Sequence, residues 1–198
     1  VTTTTTRTAA LLQEPLTTVA NLVTAVRTFA GVGLGLGGLA SHDLRVLAAA
    51  YAVYWVGDVA DGWTARRRGE ETRVGAVFDI VGDRACTAVI GVGVLGLGVL
   101  DVSSVWPVAL TFLVSFLVVD TMLSLAFLCW PLRSPNDFHL VDRPVWRWNW
   151  SPLAKATNTA GVVVAVAVGQ PFLALLLALT VLGVKVWSLH RVARMLLG

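Results

Sequence analysis

Long runs of Val, Leu, Ala and Gly alternate along this chain with short polar stretches, and the apolar windows fall at 16–40, 43–68, 72–100, 105–130, 152–169 and 171–194. A bilayer-crossing helix needs about 20 predominantly apolar residues, so the pattern predicts an all-α, polytopic membrane protein with six transmembrane helices. Both termini then lie on one side. The connections expected on the other side, SHD at 41–43, DVSS at 101–104 and GQP at 169–171, are short and leave no room for an external domain. The longest polar segment, 131–152, carries Trp146, Trp148 and Trp150, which read as interfacial anchors holding it at headgroup level. The opening VTTTTTRTAALLQEP reads as a Thr-rich tail and a short interfacial helix over 1–15, followed by one six-helix membrane domain over 16–198. It has no apolar core followed by a small-residue cleavage site, so no removable signal peptide is expected.

Composition agrees with the pattern. Hydrophobic residues make up 56% of the chain and charged residues 14%, and the mean hydropathy is +0.75, far from the averages of a soluble domain. The formal charge of +3 is explained by topology rather than by a nucleic-acid partner, because the basic residues lie between apolar runs. Arg7, the arginines at 66–73, Arg133, Arg143, Arg147, Lys155, Lys185, Arg191 and Arg194 fall on or near one side, against Arg45 on the other. The positive-inside rule makes that basic side cytoplasmic. Cys86 and Cys129 have no ligand spacing and read as small buried hydrophobes. Gly33-x-Gly35-x-x-Gly38 and Gly91-x-Gly93-x-x-Gly96 match a dinucleotide-binding pattern. Neither follows a strand, so close helix packing is the expected role.

One stretch departs from the apolar background. GDVADGWTARRRGEETRVGAVFDIVGDRA, residues 57–85, holds Asp58 and Asp61 three apart near the end of one predicted helix. Asp79 and Asp83 lie four apart near the start of the next. Each pair shares a helix face, and the intervening turn brings the faces together at the membrane's cytoplasmic edge. Ionised carboxylates there are costly and repel one another, so they need cations. No lysine is at hand and the nearby arginines lie mostly past the helix end, so Mg²⁺ or Mn²⁺ fits better. Such ions favour carboxylate oxygen and accept retained water and substrate phosphate. A metal–carboxylate site of this kind suits displacement at a phosphoryl group. Gly62 and Ala65 keep the helix beside the acids lean, leaving room for a flat or phosphate-bearing group.

Asp58-x-x-Asp61-Gly62-x-x-Ala65-Arg66, eight residues, then Gly75-x-x-x-Asp79-x-x-x-Asp83 resembles the defining motif of the CDP-alcohol phosphotransferases at every specified position. Eight such residues at about 5% frequency each recur by chance on the order of once in 10¹⁰ starts. The resemblance implies that Asp58, Asp61 and Asp79 bind divalent metal, with Asp83 sharing the site and acting as the base for the acceptor hydroxyl. It implies that Gly62, Ala65, Arg66 and Gly75 hold the CDP moiety. It also implies a homodimer in the cell membrane, its active site facing the cytoplasm, transferring a phosphatidyl group from CDP-diacylglycerol to an alcohol with release of CMP. Arg67 and Arg68 read as topology anchors rather than ligands.

Asn21-x-x-Thr24-x-x-Arg27 resembles the family's first-helix segment, with Ala20 where a proline is common. Ser151-x-x-x-Lys155-x-x-Asn158-Thr159 resembles that of phosphatidylglycerophosphate synthases, and Lys155 is expected to meet an acceptor phosphate such as that of glycerol 3-phosphate. CWPLRSPND replaces the Arg-Glu pair those synthases carry, which leaves inositol phosphate, phosphatidylglycerol or another alcohol as alternative acceptors. Arg133, Arg143, Arg147, Arg191 and Arg194 form either a basic acceptor pocket or an ordinary cytoplasmic rim. Asp120, alone inside the fourth helix, is expected to pair with a neighbouring helix. A divalent-cation transporter is the rival from another class; it would carry its acids nearer the midplane, at the interface of an internal repeat.

Overall fold

A computed structural model describes residues 14–198, apart from the side chains at 156, 159 and 160. The expected tail and interfacial helix at 1–15 thus lie, except for Glu14 and Pro15, outside the described residues, as does the side chain of Thr159. The described residues are helical, with no strand among them. The main helices are α1 (Val19–Ser41), α2 (Leu44–Arg68), α3 (Arg73–Gly96), α4 (Val102–Cys129), α5 (Arg143–Asn149), α6 (Pro152–Ala167) and α7 (Pro171–Leu197). Of these, α1, α4 and α7 are long and apolar enough to cross a membrane. The others differ for visible reasons: α6 has 16 residues, while the charges of α2 and α3 interrupt their apolar runs. Large apolar side chains such as Leu22, Phe29, Trp55, Val118 and Phe172 point outward, as in a protein solvated by lipid.

Two groups of helices make up the molecule. In the first, α1 packs along both α2 and α3; in the second, α4, α6 and α7 pack together, with α3 meeting α4 between the groups. Close approach in the first group depends on missing side chains. A Cβ on Gly35 would come within 2.7 Å of Val89, and one on Gly93 within 2.6 Å of Leu47. The packing role expected of the glycine patterns therefore holds at these positions, whereas Gly33 has open space around it.

The helix ends are set by local chemistry. Thr18 and Thr72 cap α1 and α3, their side chains accepting from the backbone N–H groups of Asn21 and Gly75. Gly69, at φ 65°, terminates α2 in the left-handed conformation that a side chain disfavours. Two carboxylates then tie the starts of α1 and α3 to other segments. Glu70, in the α2–α3 turn, accepts from Ala20 N at 3.3 Å, and Glu14 accepts from Arg73 N at 2.8 Å. The Arg68 guanidinium beside Glu70 holds that carboxyl below its usual range.

Within α4, the backbone widens into π-helical turns over Val114–Asp120 before returning to α-helix at Thr121–Leu125 and closing in a 3₁₀ turn at Ala126–Cys129. The polar segment after it is more ordered than a headgroup-level loop. It forms a 3₁₀ turn at Pro135–Leu140 and α5, and its aromatic residues build a core. Trp150 is buried, with its ring 5.1 Å from that of Phe138. Trp146 packs against the same cluster, so of the three expected interfacial anchors only Trp148 is exposed. Burial on the Phe127–Phe138–Val145 cluster outweighs any interfacial preference of these rings. The reading of the cysteines is corrected too: Cys86 is buried as expected, but Cys129 is exposed at the 3₁₀ end of α4.

Candidate active site

Helix periodicity places the four aspartates. Asp58 and Asp61 lie on the last turns of α2, Asp79 and Asp83 on the first turns of α3, and the turn at 69–72 folds one helix back on the other. Asp61 is buried, while Asp58, Asp79 and Asp83 are partly open. Asp58, Asp61 and Asp79 each offer an oxygen within 4.8 Å of the others.

The cation already among them comes from α1. Arg27, 2% exposed, donates from Nε to Asp61 Oδ2 at 2.6 Å and from Nη1 to Asp83 Oδ1 at 3.0 Å. Its Nη2 donates to Asp79 and lies 3.5 Å from Asp58. The sequence-based expectation that no protein cation reaches the acids is thereby corrected: one guanidinium meets all four. Thr24, one turn earlier on α1, donates its hydroxyl to Asp61 Oδ2 at 2.8 Å. Gly57 makes room, since a Cβ there would fall 2.4 Å from Arg27 Cβ. The Asn21–Thr24–Arg27 spacing therefore places one buried face of α1 against the acids.

One positive charge does not balance four carboxylates. Asp58 and Asp79 each retain 41% side-chain exposure, so they keep oxygen surface open towards a cavity. A hard oxygen donor set with residual negative charge fits a divalent cation.

Two cavities meet here. The larger, about 350 Å³, is walled by Asp58, Asp83, Lys155 and Asn158 and continues between α3, α4 and α7. The smaller, about 100 Å³, is walled by Asn21, Thr24, Ala65, Gly75 and Arg133. Asp61, Gly62, Arg66 and Asp79 line both. The residues expected to hold CDP thus surround the smaller cavity, and the expected base and acceptor lysine face the larger one. At Gly75 a Cβ would sit 2.7 Å from Asn21 Oδ1 and 2.9 Å from Thr72 Oγ1, so a side chain there would displace one or both.

Lys155 donates to Asn136 Oδ1 at 2.7 Å across the larger cavity's mouth. Ser151 caps α6, and Asn158 donates to the Trp148 carbonyl at 3.2 Å. Of the arginines weighed as a basic pocket, Arg133 lines the smaller cavity. Arg191 is instead paired with Asp142 at 2.8 Å. Arg68 pairs with Glu70, and Arg67 lies over the Trp63 ring, consistent with roles away from the site. Asp120 does pair with neighbouring helices, accepting from Arg84 of α3 and Lys185 of α7. Gly57 and Arg84 carried no signal beyond their place beside motif residues.

Comparison with protein families gives a match between residues 17–189 and the family described as CDP-alcohol phosphatidyltransferase. Comparison with curated proteins and with solved structures gives no significant match. The family match runs through the six longer helices, α1 to α4, α6 and α7, stopping at residue 189 within α7, and includes both aspartate pairs and the α1 face that meets them. This chain belongs to the CDP-alcohol phosphatidyltransferase family, transferases that move a phosphatidyl group from a CDP-alcohol.

Proposed function

We propose that the protein transfers the phosphatidyl group of CDP-diacylglycerol to a small alcohol, such as glycerol 3-phosphate, and releases CMP. The observation that carries this reading is the meeting of two cavities at Asp61 and Asp79. A nucleotide in the smaller one and an alcohol in the larger one converge on the same carboxylates. The acceptor oxygen forms a bond to the phosphatidyl phosphorus as the bond from that phosphorus to the CMP oxygen breaks, and the hydroxyl proton passes to Asp83. Gly62, Ala65, Arg66 and Gly75 hold the nucleotide; Lys155 holds an anionic group on the acceptor.

Asp58, Asp61 and Asp79, with Asp83 alongside, are the residues that would hold Mg²⁺ or Mn²⁺. When bound, such an ion neutralises diphosphate charge and stabilises the leaving oxygen. Arg27 keeps the acids together and oriented. In this reading the six long helices all span the cell membrane with the aspartates on the cytoplasmic side, and two copies associate as a homodimer. The test is CMP release from CDP-diacylglycerol by the purified protein with Mg²⁺ or Mn²⁺, across a panel of alcohols. Acceptor-dependent release is expected, and its absence with every alcohol would refute the assignment.

A further inference from the structure

The larger cavity continues past Asp83 to a second polar cluster, where α3, α4 and α7 meet. There Asp120 accepts from both Arg84 and Lys185. Arg84 is otherwise committed: its Nε donates to Thr121 Oγ1 at 3.0 Å, and its guanidinium lies 3.9 Å from the centre of the Phe116 ring. Lys185 has three N–H donors, and Asp120 is the partner described for one of them.

Two further groups on this wall lack partners. Ser115 and Asn149 are 4% and 5% exposed, and among the described residues neither Ser115 Oγ nor Asn149 Oδ1 has a hydrogen-bond partner. The Asn149 amide is not free to turn over. Its Nδ2 donates at 2.8 Å to the Val145 carbonyl, which can only accept, and to Ser188 Oγ, whose own proton goes to Val184 O. Asn149 Oδ1 is therefore a fixed acceptor. Buried polar groups are almost always paired, and here the two residues with unpaired atoms line the same cavity as Lys185. The π-helical turns of α4, a feature frequent at functional sites, are what carry both Ser115 and Asp120.

We infer that this second pole is the specificity subsite for the acceptor, and that the acceptor is a polyhydroxy alcohol. The inference rests on the phosphatidyl-transfer reading above. Asn149 Oδ1 and the Asp120 carboxylate accept from hydroxyls of the acceptor, Lys185 Nζ donates to a hydroxyl oxygen, and Ser115 Oγ does either. One hydroxyl of the same molecule faces Asp83, and any anionic group lies at the mouth by Lys155. An amino alcohol fits poorly, because its cation would face two protein cations and a single carboxylate. The cavity, about 350 Å³, is of small-molecule size.

The experiment uses the full chain in nanodiscs and compares Ser115→Ala and Lys185→Met with wild type. Turnover is measured with CDP-diacylglycerol and glycerol 3-phosphate, its analogue lacking the middle hydroxyl, myo-inositol 1-phosphate, myo-inositol, ethanolamine and phosphatidylglycerol. Binding of each soluble alcohol is measured separately by calorimetry. Wild type is expected to prefer a polyol, with loss of a hydroxyl costing about tenfold or more in kcat/KM, as at sites built to bond that group. Ser115→Ala removes a hydroxyl that has no internal partner, so folding is unaffected. It should raise the polyol KM and Kd about threefold or more and narrow the preference, with the KM for CDP-diacylglycerol unchanged. Lys185→Met should do so more strongly. Unchanged polyol KM and Kd in Ser115→Ala, or turnover confined to ethanolamine, would overturn the subsite. Polyol binding that is sensitive to Ser115→Ala, with no CMP release from any alcohol, would retain the subsite and refute the transfer reading instead.

Discussion

The two charged clusters along the larger cavity are opposites. At one, a single guanidinium, Arg27, is ringed by four carboxylates; at the other, a single carboxylate, Asp120, is held by an arginine and a lysine. Both hold a buried residue at the centre, Arg27 or Asp120, and both cross-link separate helices. The first keeps excess negative charge with open oxygens, a donor set that a divalent cation favours. The second carries one positive charge in excess and so offers a cation nothing. Similar ingredients thus leave open negative charge in one place and a preorganised, net-positive wall in the other.

The comparison breaks first at Asp61. Asp61→Asn is nearly isosteric but removes charge from the centre, and activity should fall at least about a hundredfold while the protein stays folded. CMP release at saturating Mg²⁺ reads this, and turnover near that of wild type would mean the cluster is a packing network only.

A smaller but more diagnostic effect separates the clusters by their response to metal. Removing one partner of a buried ion pair costs about 3–5 kcal/mol, so Arg27→Met and Asp120→Asn should both lower Tm. Added Mg²⁺ or Mn²⁺ at about 100 times Kd stabilises a site by about 2.7 kcal/mol. It should recover Tm in Arg27→Met, where carboxylates are freed, and give Asp120→Asn no gain beyond that of wild type. Equal recovery in both variants would erase the distinction between the clusters.

The mildest change is at the mouth. Lys155→Ala should raise KM for a phosphorylated acceptor about tenfold, the worth of one charge-assisted hydrogen bond, and leave that for CDP-diacylglycerol unchanged. An unchanged KM for glycerol 3-phosphate would return Lys155 to the role of a snorkelling lysine.

The positions of the six long helices were legible because apolar runs and their polar breaks survive any packing arrangement. Their ends were less so. The third window was expected to reach residue 100, but α3 stops at Gly96, followed by Gly98 at φ 65°. The aspartate spacing was legible because i, i+3 and i, i+4 positions share a helix face whatever surrounds them. Arg27 was not, as a partner: it meets Asp61 and Asp83 across 34 and 56 residues of sequence, and nothing local to the acids reports a cation supplied by another helix. Trp150 was misplaced because an aromatic ring near a membrane surface has the same composition signal whether it faces lipid headgroups or a core. Ser115 and Asn149 were silent, since an ordinary polar residue becomes informative only once its partners are known to be missing.

The π-helical turns in α4 set a phase between the two halves of that helix. Val108, before them, packs with Val162, Ala174 and Ala178, whereas Leu123 and Phe127, after them, pack with Ile80, Phe138 and Val145. Each residue advances a helix by about 100°, so losing a single residue between 114 and 119 would rotate one half against the other by roughly that angle. Asp120 would swing away from Arg84 and Lys185, or Val108 would leave its contacts. Chain length across this stretch is therefore as tightly specified as the identity of any residue within it, and insertions or deletions here should be tolerated less than substitutions.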